Sequence, residues 1–232
     1  MLEGTGTGSR AIGAVGIPLR LDPEQVRSRF DRIAGLYRFF ELLFLVPAKL
    51  RPLSVEQLAL QPGERAVSVG CGQGRSLPLM AKAVGPTGHV TGVDLSSGML
   101  EHAYERILRK GIHNVAIIHA DIRSYKASAP LDAVLFSFSL TTFGDPQAIL
   151  QQLWEQLRPG GRLVVADAQL PPRTAFLLKP LLPLIRWFLE RTVLGDPDMR
   201  PIEELRRLGP PVHVQRMRMG FYFIATVIKP ES

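Results

Sequence analysis

Three glycines and two aspartates, at fixed spacing, carry the chemistry open to this sequence. Gly70, Gly72 and Gly74 stand in Ala66-Val-Ser-Val-Gly-Cys-Gly-Gln-Gly74. The small and apolar residues from Ala66 to Val69 predict a buried strand, and Arg75-Ser-Leu-Pro-Leu-Met-Ala-Lys82 predicts a helix opening behind the glycines. A strand, a turn without side chains and a helix N-terminus form a corner that binds phosphates or nucleosides. The spacing is G-x-G-x-G and not the G-x-G-x-x-G of dinucleotide sites, because Arg75 and Leu77 occupy the sixth positions. A second predicted strand, His89-Val-Thr-Gly-Val-Asp94, ends in a carboxylate about 20 residues past the turn, where it can accept two ribose hydroxyls. A third, Asn114-Val-Ala-Ile-Ile-His119, is followed by Asp121, which can accept from an adenine amino group. This pattern suits a nucleoside that carries no pyrophosphate.

The elements that must position these residues follow from the punctuation of the chain. Gly85-Pro86 ends the first helix of the glycine corner. Ser96-Ser97 caps a helix from about Gly98 to Lys110, and Gly111 stops it. Leu131 to Phe136 reads as strand four, Asp145-Pro146 as the start of a helix to Leu157, and Arg162 to Ala168 as strand five after an Arg-Pro-Gly-Gly turn. Val212 to Met219 and Phe221 to Ile228 alternate around Gly220 and predict an antiparallel hairpin. The expected fold is α/β: a Rossmann-like, doubly wound, mostly parallel seven-stranded sheet closed by an antiparallel C-terminal hairpin strand. Ligands bind in such sheets at the carboxyl ends of the strands. That places Gly70 to Gly74, Asp94, Asp121, Ser137 and Phe138 on one rim.

With those residues in view, the chain resembles the class I S-adenosylmethionine (SAM) methyltransferases. The resemblance rests on Val67-Ser-Val-Gly-Cys-Gly-Gln-Gly74, Val90-Thr-Gly-Val-Asp-Leu-Ser-Ser-Gly-Met-Leu100, Ala120-Asp-Ile122, Leu131-Asp-Ala-Val-Leu-Phe136 and Leu157-Arg-Pro-Gly-Gly-Arg-Leu-Val-Val165. Two subgroups look most similar: the ubiquinone/menaquinone C-methyltransferases and the bacterial phospholipid N-methyltransferases. The resemblance implies SAM as cofactor and S-adenosylhomocysteine as product. It implies binding along Tyr37, Ser68, Gly70, Cys71, Gly72, Gln73, Gly74, Asp94, Leu95, Met99, Asp121, Ile122, Ser137 and Phe138. Tyr37 becomes the candidate nearest the transferred methyl, its plainer role being to fill the core face of a helix. Two positions depart from the pattern. Ser68 stands where the family usually has an acidic partner for the methionine ammonium, and Arg38 replaces the Asp that follows Tyr37. A hydroxyl lacks the charge contribution of a carboxylate.

The totals bound the remaining choices. The chain has 232 residues, 46% hydrophobic and 21% charged, which is globular and long enough for a full core. Residues 1–20 read as a tail and 21–232 as a single domain, with helical cap segments at 21–60 and 171–200. One cysteine, Cys71, excludes an internal disulfide, and the five histidines lack metal-ligand spacing, so no metal is expected. No apolar run is long enough to span a bilayer, and no cleavage signal follows Ala11 to Leu19, which predicts a cytoplasmic protein. The net charge of +7 lies in the flanks: +2 over residues 1–60, +1 over 61–169 and +4 over 170–232. With the aromatic run Phe39 to Val46 and the Pro-broken stretch holding Trp187 and Phe188, this suits reversible contact with an anionic membrane. The expected acceptor is a lipid-like small molecule, either a phospholipid amine such as phosphatidylethanolamine or a quinone ring. The alternatives are a SAM-binding protein without turnover, or a methyltransferase for a soluble small molecule or nucleic acid. No nucleic acid is expected, because Ser137-Phe-Ser139 stands where amino methyltransferases of nucleic acids carry Asn/Asp-Pro-Pro-aromatic.

Overall fold

Seven strands form one sheet in a computed structural model that describes residues 46–169 and 199–231. The strands are β1 (Arg65–Val69), β2 (His89–Asp94), β3 (Val115–His119), β4 (Leu131–Ser137), β5 (Leu157–Ala168), β6 (Val212–Met217) and β7 (Tyr222–Ile228), in the order β3-β2-β1-β4-β5-β7-β6. Pairings from β3 through to β5 are parallel, whereas β7 runs antiparallel to β5 and to β6. The helices are α1 (Leu50–Gln57), α2 (Leu77–Val84), α3 (Ser97–Arg109), α4 (Pro146–Gln156) and α5 (Pro201–Arg206). Tyr37, the run Phe39 to Phe44, and Trp187 with Phe188 lie outside the described residues, as does most of both cap segments. No helix among the described residues is long and apolar enough to cross a membrane.

The central strands are continuous apolar runs because both faces of the sheet are covered. Leu50, Leu58, Leu77, Met80, Val84 and Ile107 pack from α1, α2, α3 and their flanks onto Ala66, Ala133, Leu135, Val164 and Ile224. On the opposite face, Ile149, Leu150 and Leu153 of α4, with Ile202 and Leu205 of α5, cover Val67, Val69, Val134, Phe136, Val165 and Phe223. Chain order reverses at β1: β2 and β3 are laid down on one side of it and β4 and β5 on the other. This reversal opens the crevice between the carboxyl ends of β1 and β4.

Local chemistry sets the boundaries, and some differ from the sequence expectation. The helix behind the glycines begins at Leu77 rather than Arg75, with Pro78 in its first turn, where the missing N–H costs nothing. Ser96 caps α3 by accepting from Met99 N–H at 3.1 Å, and Asp145 caps α4 by accepting from Ala148 N–H at 3.1 Å. Strand β5 begins at Leu157 and not at Arg162. The Arg-Pro-Gly-Gly segment stays in the sheet as an irregularity: Leu157 pairs with Leu131, and regular pairing resumes at Arg162 opposite Ala133. Gly160 N–H donates to Lys229 O, and Lys229 N–H donates to Gly161 O, both at 2.9 Å. These bonds to the chain end beyond β7 hold that segment extended. The hairpin turns through Arg218–Gly220, where Arg218, Met219 and Gly220 all have positive φ.

Candidate SAM site

A cavity of about 350 Å³ runs across the carboxyl ends of β3, β2, β1 and β4. Of the sequence-derived candidates within the described residues, Ser68, Gly70, Cys71, Gly72, Gln73, Asp94, Leu95, Met99, Asp121, Ile122, Ser137 and Phe138 line it. Gly74 does not. Its φ is +67°, and a Cβ there would stand 2.9 Å from Ala103 Cβ, so this glycine lets the loop pack against α3.

The glycine turn is shaped by backbone and by one carboxylate. Gly70 (φ +60°) lies so close to Ser139 that a Cβ would fall 2.5 Å from Ser139 Cβ, and Ser139 Oγ donates to Val69 O at 2.6 Å. Gly72 (φ +53°) has open space where a Cβ would be, leaving its backbone approachable. Asp94 ties the turn to the next helix. Its Oδ2 accepts from Gly72 N–H at 2.7 Å and its Oδ1 from Ser96 N–H at 2.9 Å. Burial, and then the nearby Asp94 charge, push the Cys71 thiol well above its ordinary pKa. Cys71 is therefore a neutral wall residue and a poor nucleophile.

At the β3 end Asp121 lines the cavity and has a close neighbour in Arg123. Its carboxylate is held by Arg123, with Nε of Arg123 3.0 and 3.1 Å from Oδ1 and Oδ2 and Arg123 N–H 2.9 Å from Oδ1. The side-chain hydrogen bond from Arg123 holds its pKa below the usual carboxylate range. An arginine two residues past the carboxylate was the available sequence signal for this pair. His119 sits outside the cavity wall, its Nε2 3.0 Å from Leu95 O.

At the β4 end, Phe138 has φ +57°, a conformation that costs a non-glycine residue roughly 1–3 kcal/mol. It is held there by its N–H donating to Ala166 O at 2.8 Å and by edge contact with Tyr222 at 6.2 Å between ring centroids. The Arg51 guanidinium sits 5.4 Å from its ring centroid, and Arg51 also lines the cavity. Sequence reading missed Arg51 as a wall residue, because only tertiary packing brings α1 to the end of β4. Ser137 Oγ is buried with no hydrogen-bond partner. One strand over, Asp167 is 4% exposed, and burial raises its pKa to about 7, with its Oδ1 accepting from Ala168 N–H at 2.8 Å. No group of His, Cys, Asp and Glu among the described residues could hold a metal ion.

A doubly wound sheet with a backbone-lined turn at β1, a carboxylate ending β2 and a cavity across the strand ends defines a nucleoside-cofactor-binding α/β protein. A family described as a methyltransferase domain matches residues 60–186, more than half of the chain, and the chain belongs to this family of SAM-dependent methyltransferases. A demethylmenaquinone methyltransferase of Listeria monocytogenes serotype 4a is 30% identical over 151 residues, covering 64% of this chain and 64% of that protein. The enzyme of the same name from Geobacillus stearothermophilus is 28% identical over 154 residues, covering 66% of this chain and 64% of the relative. These matches thus span 64% of the relatives' length. Among solved structures, a SAM-dependent methyltransferase from Aquifex aeolicus is 20% identical with a TM-score of 0.55, covering 89% of this chain and 98% of its own. The [4+2]-cyclase SpnF reaches a TM-score of 0.73 at 18% identity, covering 94% of this chain and all of its own. Both likenesses establish the fold. The second shows that the fold does not by itself name the reaction.

The cofactor of this family is SAM, and the residues present fit it. The open backbone at Gly72 admits a ligand, Asp94 is a carboxylate at the β2 end, and a buried hydroxyl without a partner, Ser137, lies at the β4 end.

Proposed function

We propose that this protein transfers the methyl group of SAM to a quinone-type ring carrying an apolar tail. The observation that carries the reading is the 30% identity to proteins named demethylmenaquinone methyltransferase. Bound SAM supplies an electrophilic methyl on a sulfonium. The protein's part is then chiefly to hold the acceptor atom in line, about 3 Å from that carbon, and to exclude water. Asp94 receives the ribose hydroxyls, and the β3 end around Asp121 and Ile122 receives adenine. The amino-acid end lies over the glycine turn toward Ser137. Phe138 and Phe143 give the wall an apolar character that suits a ring acceptor. Residues 21–60 and 171–200 serve as the cap over the acceptor, with Tyr37 near the methyl, and the basic flanks allow reversible contact with anionic lipid.

The test is transfer of tritiated methyl from SAM to demethylmenaquinone, phosphatidylethanolamine and RNA, offered separately with detergent. Label is expected in the quinone. Labelled phospholipid or RNA with an unlabelled quinone would replace this reading. Tight SAM binding with no labelled product anywhere would favour the binding protein without turnover, for which Ser68 is the motive.

A further inference from the structure

The cavity has an unusual charge balance at its amino-acid end. The acidic residues lining it, among those described, are Asp94, Asp121 and Asp145. Asp94 and Asp121 belong to the β2 and β3 ends, and Asp145 caps α4. Where the ammonium of SAM would be met at β1 stands Ser68, 2% exposed. The charge that lines the β4 end is positive instead. Arg51 comes from α1, which packs on the same sheet face as Ala66, Ala133 and Leu135. Ser68 and Ser137 share the strand parity of those residues, so both belong to the face that α1 covers. Phe138, strained and braced by Tyr222, carries the Arg51 guanidinium on its ring.

We propose that Arg51 holds the carboxylate of the amino-acid end of SAM, with Ser137 Oγ as a second donor. The zwitterion is then recognised from its carboxylate rather than its ammonium. A guanidinium presents a planar fork that matches a carboxylate in two parallel hydrogen bonds. Ser137 contributes a buried hydroxyl that has no other partner. Arg75 also lines the cavity, but it opens the α2 side, with its Nη2 3.4 Å from Gln73 Oε1. The inference rests on the placement of SAM given above.

Calorimetric titration of the full chain with three product analogues tests it. They are S-adenosylhomocysteine, the 3-carboxypropyl thioadenosine that lacks the ammonium, and the 3-aminopropyl thioadenosine that lacks the carboxylate. The native protein should bind the carboxypropyl compound within a few-fold of S-adenosylhomocysteine, and the aminopropyl compound about 10- to 100-fold more weakly, the range for losing a charge-assisted hydrogen bond. Arg51→Met should weaken the two carboxylate compounds by a similar factor and leave the aminopropyl compound unchanged. Arg51→Lys should restore part of the loss. Ser137→Ala should show the same pattern with a smaller loss of about 2- to 10-fold, the range for an ordinary hydrogen bond, and it serves if Arg51→Met fails to fold. The inference is overturned if Arg51→Met weakens all three compounds alike or none of them, or if Arg75→Met alone gives the carboxylate-selective loss. Failure of the native protein to bind any of the three overturns the placement of SAM itself, and the inference with it.

Discussion

At the amino-terminal rim of the sheet, ion pairs tie strands β1, β4 and β5 to one another; at the carboxyl rim, polar side chains line a cavity, and those of Asp94 and Asp121 bond to other residues of its wall. Glu64 (9% exposed) accepts from Arg158 Nη2 at 3.0 Å and pairs with Arg162, while Asp132 pairs with Arg158 and accepts from Arg65 N–H at 2.7 Å. Lys229 Nζ closes this end by donating to Trp154 O and Leu157 O. Across the sheet, Ser137 Oγ is buried without a hydrogen-bond partner, the buried Asp167 carboxyl has only neutral partners in Thr141 and Ala168 N–H, and Phe138 is held at positive φ. An unmet polar group costs stability, and strain persists only where surrounding structure imposes it. One rim therefore serves the fold. The other carries an unmet hydroxyl at Ser137 and backbone strain at Phe138 in the wall of the cavity.

The largest effect expected from breaking this contrast is at Asp167. Its folded pKa of about 7 lies above the ordinary 3.8, so the folded protein holds a proton that the unfolded chain releases. Stability must then fall as pH rises between those two values, and stay low above the upper one. Asp167→Asn should abolish that slope and be more stable than the native protein at pH 8 by as much as about 4 kcal/mol. Denaturant melts at pH 5 and pH 8 measure it, and parallel slopes for the two proteins would remove Asp167 from the account.

Glu64→Ala comes next, and it should act on the fold alone. It leaves Arg162 half of a broken, largely buried pair, a change costing about 3 kcal/mol. SAM affinity in the surviving folded protein should stay within twofold. A selective loss of SAM binding would show that the two rims are coupled.

Asp94→Ala should lower SAM affinity about 10- to 100-fold, since charge-assisted hydrogen bonds contribute roughly 1.5–3 kcal/mol. Because Asp94 also holds Gly72 and Ser96 N–H, this variant should lose thermal stability as well. Asp94→Asn, with one oxygen left to accept, should recover more stability than affinity. Calorimetry beside thermal melts separates the two.

The smallest effect is at Ser68. Replacing it with Glu supplies a carboxylate to the ammonium and should tighten SAM binding several-fold, about 1 kcal/mol, with no loss of activity. Weaker binding would mean that the pocket around this buried serine has been reshaped.

Much of the cofactor half could be read from sequence, because it is built from local signals. The glycine turn needs positive φ at Gly70, Gly72 and Gly74, and Asp94 and Asp121 stand at or just past the ends of apolar runs whose direction the parallel topology sets. Capping at Ser96 and Asp145 is likewise a matter of neighbouring residues. The extension of β5 through Arg-Pro-Gly-Gly was not legible. Its partners, Leu131 and Lys229, lie far away in the chain.

By itself the sequence determined the class of fold, the family and the strand ends that line the cavity, since periodicity and turn chemistry act over a few residues. Tertiary structure decided which charges meet. It set Arg51 on Phe138, 87 positions away, and it paired Glu64 with Arg158 and Arg162 of β5, two strands from β1. It also buried Asp167 deeply enough to hold its proton near neutral pH. Burial and long-range charge pairing depend on how α1, α4 and the strands close over one another, and no local pattern records that.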